Sequence, residues 1–339
     1  MSIPDTSEAM PASSVAPERS RMQSVTVDWL IYAVVMILAV VVPIMLGGFS
    51  LYLGCVVAFY AIAALGLQVM VGLAGQLSLG HAAFLGVGAY GAVIAEMRLG
   101  LSFPAACLVG TLLASLTGLL MAQLIRLSGI YFKIATFGFG IILHQCFTNW
   151  VPLTGGTAGL KGIPPLVIAG YALTTRLQLF LLEMAALAIV YFFLLRLSHG
   201  RFGRAFRSLG QNEAAARSIG IPTTKFKMLA IVLGCGIAGL AGTFLPHVMR
   251  FVSPESFSWH DSLVLLIMIT IGGLGSLPGA ILGAAIMVVL PEYLRDFAQY
   301  KMLAYGVLLI ASMALMPRGV AGVVEMAWIR LTDDRKGKG

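Results

Sequence analysis

The chain has 339 residues, of which 59% are apolar and only 11% charged, with a net charge of +8 and a mean hydropathy of +0.94. So few solvating side chains exclude a water-soluble enzyme of this size. The charges gather in the stretch to Asp28, the segment from Arg196 to Lys227 and the tail after Arg318, with long apolar runs between them. This is the pattern of an all-α polytopic membrane protein, in which the excess of Lys and Arg marks cytoplasmic retention and not nucleic-acid binding.

Residues 1–28, rich in Ser, Pro, Ala and Glu and without periodicity, read as a disordered cytoplasmic leader. They are not a signal peptide, since the apolar run begins only near Trp29 and no small-residue cleavage site follows it. A crossing helix needs about 20 apolar residues. Runs of that order, bounded by Gly, Pro or charge, predict ten spans over a membrane domain of residues 29–317. In chain order they are Trp29–Leu46, Leu51–Val71, His81–Ala95, Phe103–Ile125, Tyr131–Thr148, Leu177–Leu197, Met228–Val248, Leu263–Ile271, Ala280–Leu294 and Met302–Leu315. Arg126 and Lys133, then Arg196, Arg201, Arg204, Arg207, Arg217, Lys225 and Lys227, then the basic tail 318–339, place their connections on the cytoplasmic side. Six spans before the loop 199–227 and four after it put both termini inside.

The first unusual segment, Gly72 to His81, sets three glycines and three polar side chains between apolar runs. Two readings stand side by side. It is an unwound stretch at membrane depth, tolerated only against protein or a wet cavity and typical of transporter sites, or a tight cytoplasmic turn. The next, Gly86-Val-Gly-Ala-Tyr-Gly91, matches the dinucleotide fingerprint by letter but lies inside an apolar helix with no βαβ unit, so it is rejected. Small residues there serve close helix packing, as do Gly275, Gly279 and Gly283. Cys55, Cys107, Cys146 and Cys235 stand singly with no ligand spacing, so neither a disulfide nor a metal site is expected.

Among buried polar candidates, Gln68, His144, Gln145, Glu183 and His247 fall within predicted spans. Glu183 lies about two turns inside its helix, so it either faces a partner or cavity or snorkels to the interface. In the loop 199–227, Gly203–Gly210 and Asn212–Gly220 each read as a two-turn helix, the second capped by Asn212, favoured by Glu213 and stopped by Gly220 and Pro222. Phe206, Ala214, Ala215 and Ile219 are apolar positions that a mere connector does not require. No phosphate loop, zinc-protease pair or nucleophile elbow occurs, so no ATPase and no catalytic site is expected in this chain.

The segments Gly72–Tyr90, Tyr131-Phe-Lys-Ile-Ala-Thr-Phe-Gly-Phe-Gly140, Leu153–Leu160 with Gly162-Ile-Pro164, Gly203–Gly220 and Gly272–Gly279 together make the chain similar to the permeases of branched-chain amino acid ABC importers. The resemblance spans about Trp29 to Arg318. It implies a ten-helix subunit in a bacterial-type inner membrane, paired with a second homologous permease and two ATPase subunits that bind the ATP. A periplasmic or extracellular substrate-binding protein would deliver the solute. It also implies that Glu213, Ala214, Ala215 and Gly220 sit in an ATPase cleft flanked by Arg204 and Arg207. On physical grounds, freed backbone and neutral hydrogen-bonding groups at Gln76, Ser78 and His81, with Thr136, are expected to line the translocation route beside a second permease, the alternative being that they only cap and pack helices. This chain departs from the family pattern at Ile141 and His144, where an acidic residue and an arginine are common, and in the register of Glu213, with Ala214 in the usual glutamate position. An ion-coupled secondary transporter is the alternative; it would need intramembrane carboxylates, of which Glu183 is nearly the only one well inside a predicted span.

Overall fold

The structure, a computed structural model, describes residues 41, 43–45, 47–127, 129–168 and 170–293, with 306, 310, 319, 320 and 322 beyond them. The expected spans Trp29–Leu46 and Met302–Leu315 lie mostly outside the described residues, as do the leader and nearly all of the tail. The described helices are α1 (Gly48–Gln68, prolonged by a π turn, Val69–Leu73), α2 (His81–Leu99), α3 (Phe103–Ala122), α4 (Ile130–Asn149), α5 (Arg176–His199), α6 (Arg201–Gln211), α7 (Glu213–Ser218), α8 (Thr223–Met249), α9 (Trp259–Gly272) and α10 (Leu277–Tyr293). Six of them, α1 to α5 and α8, are long and apolar enough to cross a membrane, and α9 and α10 are shorter apolar helices. Each expected span between Leu51 and Leu294 meets one of these eight. The largest boundary error is at α8, which starts at Thr223 and not at Met228 because its first turn is polar yet helical.

Helices α1 and α8 run antiparallel through the centre. The Tyr52 hydroxyl near the start of α1 donates to Met249 Sδ at the end of α8 (3.3 Å), and α1 ends beside α6, where Gly75 abuts Gly210. These contacts define two ends of the molecule, the α6–α7 end and the opposite end. Around α8 pack α1, α2 and α3. Their approach is close because small residues face each other: a Cβ added at Gly88 of α2 would lie 2.1 Å from the Gly239 carbonyl oxygen of α8. On α3, Leu108, Leu112, Leu116 and Leu120 recur every fourth residue and are exposed. A row of leucines facing outward is stable against lipid or an apolar partner, not against water.

Two helices are broken at depth, and in opposite senses. After the π turn of α1, residues 74–80 run without helical structure from Gly210 of α6 to the third turn of α4, where Gly80 packs on Thr136 and Gly140. Only then does α2 begin, and it ends at the opposite end, where Glu96 meets His247. At the end of α8 the chain turns through Arg250 in the left-handed region (φ 56°), forms a short strand at Phe251–Val252 and a 3-10 turn at Pro254–Phe257, and descends past Tyr90 before starting α9. At 14 residues and about 1.5 Å each, α9 is too short for a hydrocarbon core of about 30 Å. It finishes at the α6–α7 end, where the Gln68 amide donates to the Gly273 and Ser276 carbonyls, both at 2.9 Å. The α9–α10 hairpin closes by small-residue contact, since a Cβ at Gly283 would lie 1.9 Å from the Met268 carbonyl oxygen and one at Gly279 2.3 Å from that of Gly272. Gly275, expected on the same helix face, instead occupies the turn before α10 with a φ of 85°.

Little strand structure is present among the described residues, all of it at the opposite end. β1 (Leu160–Lys161) pairs antiparallel with β4 (Phe251–Val252), and β2 (Leu166–Ile168) with β3 (Tyr171–Leu173). The first pair ties the connection between α4 and α5 to the end of α8.

Candidate functional site

The starts of α2 and α9 meet at mid-depth. Ser258 and Asp261 form a capping box at α9, and Ser262 one turn in accepts the Ala82 N–H of α2 at 3.0 Å. A free amide at the start of α2 is thus satisfied by the neighbouring broken helix. The unwound segment is pinned from the other side by Thr136, whose hydroxyl accepts the Leu79 N–H (3.2 Å) and donates to the Lys133 carbonyl (2.9 Å). Gln76 is half-buried and donates to the nearby Ala74 carbonyl.

Ser78, His81 and Thr136 are all wholly shielded from solvent within the single chain. Ser78 Oγ and both ring nitrogens of His81 form no well-made hydrogen bond; the His81 ring faces the Ala63 carbonyl of α1 without closing one. Buried polar atoms left open in this way are uncommon and carry a cost unless another state of the protein supplies partners. The stretch is therefore an unwound backbone segment buried against protein, and not a tight turn.

Two further polar pairs lie within the bundle. Glu183 is buried with its carboxyl beside the Cys55 thiol of α1, and its Oε2 has no hydrogen-bond partner among the described residues. It does not snorkel, because its helix position faces α1 and not the lipid. Cys55, read from sequence as a small apolar residue, is its partner. The other pair joins α2 to α8: His247 Nε2 lies 2.9 Å from Glu96 Oε2, and Nδ1 lies 3.1 Å from the Thr243 carbonyl. His247 stood out in the sequence; Glu96, 151 positions away and near the exposed end of its helix, did not. His144 and Gln145, by contrast, sit half-buried and exposed on α4, not in the core. The four cysteines are free, and no group of metal-binding side chains occurs among the described residues.

At the α6–α7 end the charged loop is ordered by its own chemistry. Asn212 Oδ1 accepts the Ala215 N–H at 3.0 Å, capping α7. Glu213 accepts from Lys227 Nζ of α8 (2.5 Å) and from Arg217 (3.3 Å), and the Lys227 ammonium holds its carboxyl below the usual carboxylate range. The glutamate therefore anchors α7 to α8. Phe206 turns inward against Phe226, while Ala214, Ala215, Ile219 and Gly220 remain uncovered, with Arg204 and Arg207 exposed beside them on α6. The outcome is a rigid, small-residue shoulder rimmed by arginines.

Residues 49–313 match the family model described as branched-chain amino acid transport system / permease component. The chain is 32% identical over 309 residues to the high-affinity branched-chain amino acid transport system permease protein LivM of Salmonella typhimurium, covering 84% of this chain and 73% of that one. With the corresponding LivH protein of Escherichia coli it shares 24% identity over 290 residues, 79% of this chain and 92% of that one. Over 198 residues it is 28% identical to the autoinducer 2 import system permease protein LsrC of Salmonella paratyphi B, 56% of this chain and 54% of that one. No solved structure matches the chain.

Proposed function

Since the chain belongs to the permease family of branched-chain amino acid ABC transport systems, we propose that it is the membrane subunit of an ATP-driven importer, in an inner membrane of bacterial type, for a branched-chain amino acid or a related small polar solute. A second permease completes the channel, separate ATPase subunits dock on the α6–α7 shoulder, and a secreted binding protein presents the solute. The observation that carries this reading is the shoulder itself. Its apolar tip of Ala214, Ala215 and Ile219 is held by the Asn212 cap and the Glu213–Lys227 pair, yet nothing among the described residues covers it. A pre-organised, uncovered surface favours docking because little ordering entropy remains to be lost.

The test is Ala215→Glu. The side chain is exposed and the cap uses only the backbone N–H, so the fold is expected to be unchanged. A carboxylate forced into an apolar contact without a partner is costly, and at about 1.4 kcal/mol per factor of ten a loss of tenfold or more is expected in both leucine uptake and ATPase stimulation in reconstituted vesicles. Normal uptake by the variant would sink the docking assignment.

Gln76, Ser78, His81 and Thr136 are assigned to the route in a conformation in which residues 74–80 part from α4 and α9. Neutral hydrogen-bonding groups of this kind pass a zwitterion without trapping it by charge. Support comes from the open valences of Ser78 and His81, which a wet path would fill. Ser78→Cys, in a background with the four native cysteines replaced and Cys55 exchanged for Ser to keep a donor to Glu183, is expected to resist water-soluble thiol reagents in the conformation described. It is expected to react when ATP and partners drive turnover. A thiol that stays inert in every state while uptake continues would remove Ser78 from the route.

A further inference from the structure

The lipid-facing side of α5 ends in charge. Leu181, Ala185, Ile189, Phe192 and Phe193 recur along one exposed side of the helix, and Arg196, one turn further, closes the series. Its guanidinium lies 5.6 Å from the centroid of the Phe192 ring. The arginine stem therefore runs back over apolar surface, and its head stands where hydrocarbon gives way to headgroups. Helix α6 begins after a single intervening residue, Gly200, and its buried side of Gly203, Ala205, Phe206 and Leu209 holds it against the bundle. Arg201, Arg204 and Arg207 thus face outward, together with Phe202, which is 48% exposed.

From residue 196 to 227 the one carboxylate is Glu213, and Lys227 and Arg217 already occupy it. None of these outward arginines forms an ion pair among the described residues, and Arg204 donates to the His199 carbonyl. Arg196 and Arg201 are therefore, among the described residues, two cations without a carboxylate partner at the edge of an apolar stripe.

We propose that Arg196 and Arg201, with Phe192 and Phe202 beside them, bind the headgroup phosphate of an anionic phospholipid whose acyl chains lie along the exposed stripe of α5. The lipid is favoured over a soluble anion because the site is continuous with the exposed apolar stripe of α5, a helix long and apolar enough to cross a membrane. Guanidinium suits a phosphodiester through paired, charge-assisted N–H donors, and basic side chains at a membrane surface attract anionic leaflets. Arg204 and Arg207 lie further along α6, towards α7, and stay with the docking shoulder. The lipid site requires only that α5 crosses the membrane, so it does not depend on the docking assignment.

The full-length permease in detergent is offered equal amounts of phosphatidylglycerol and phosphatidylcholine with the same acyl chains, and retained lipid is counted by native mass spectrometry. Phosphatidylglycerol is expected to be preferred. The double variant R196Q/R201Q is expected to retain it about fivefold less for each charge removed, with phosphatidylcholine unaffected. Lys161→Gln, at the opposite end, is expected to leave the preference intact and so controls for net charge. Equal retention of the two lipids by the native chain, or an unchanged preference in the double variant, overturns the proposal. A second arm measures ATPase stimulation of the assembled transporter in vesicles with and without phosphatidylglycerol. The native protein is expected to respond to the lipid and the variant not to. A variant that loses stimulation equally in both vesicle types would assign these arginines to the ATPase and overturn the lipid site.

Discussion

Gly88→Val is expected to leave no correctly folded permease, because the position has no room on any side that can yield. The added Cβ would lie 2.1 Å from the Gly239 carbonyl oxygen and 2.5 Å from the Gly239 Cα of α8. Overpacked cores in which side chains rearrange typically cost about 1–3 kcal/mol. Here the obstacle is backbone, so α2 and α8 must separate along the whole seam that also brings Gly242 against Leu85 and Gly110 of α3 against Gly88. Gly138→Val on α4 is the matched control, since a Cβ there meets nothing within 4 Å. Size-exclusion profiles and thermal unfolding of the two detergent-extracted variants check this. A monodisperse, normally stable Gly88→Val protein would show that the seam is looser than described. The same seam gives a run that spells a dinucleotide fingerprint a packing role: Gly86 accommodates Phe147, and Gly91 the Gly110 backbone.

Breaking the Glu96–His247 pair is expected to have the second-largest effect. The Thr243 carbonyl only accepts, so Nδ1 carries a proton, and one further proton is held between Nε2 and Oε2 over 2.9 Å. Both side chains are buried, at 1% and 7% exposure, and Phe103 covers the imidazole edge-on at 5.0 Å. Replacing His247 with Leu leaves a carboxyl buried without its partner, a loss of the kind that costs about 3–5 kcal/mol. Glu96→Gln with His247→Gln restores neutral complementarity and is expected to recover most of that. A double-mutant cycle on thermal or denaturant unfolding measures the coupling. A coupling near zero would mean that the two groups merely sit close together.

Which parts of this could be read in advance follows from the range of the interactions involved. The apolar runs, their Gly and Pro boundaries and the Asn212 cap are local, and the helices from α1 to α10 and the form of α6 and α7 follow from them. Residues 72–80 carry a local signal for irregular backbone, three glycines and three polar groups with His81, but not its depth. That depth is set by Thr136 and Ser262, distant in sequence by 57 and 180 positions from the groups they bind. For the same reason no local signal marks Glu96, directs Glu183 to Cys55 and not to the interface, or distinguishes Gly275 in a turn from a glycine on a helix face.

By itself the sequence determined that this is an all-α membrane protein with a basic, capped loop and no phosphate-binding motif of its own, because burial in lipid demands continuous apolar helices and charge gathers where water is. Tertiary structure alone decided that α9 is too short to cross and that its start meets that of α2, that Glu213 is an internal anchor while Ala214 and Ala215 are left uncovered, and that Glu96 pairs with His247 while Ser78 and His81 are buried without partners among the described residues. Each of these depends on which faces come within hydrogen-bonding distance across the bundle, and hydrophobic periodicity along one helix does not specify its neighbour.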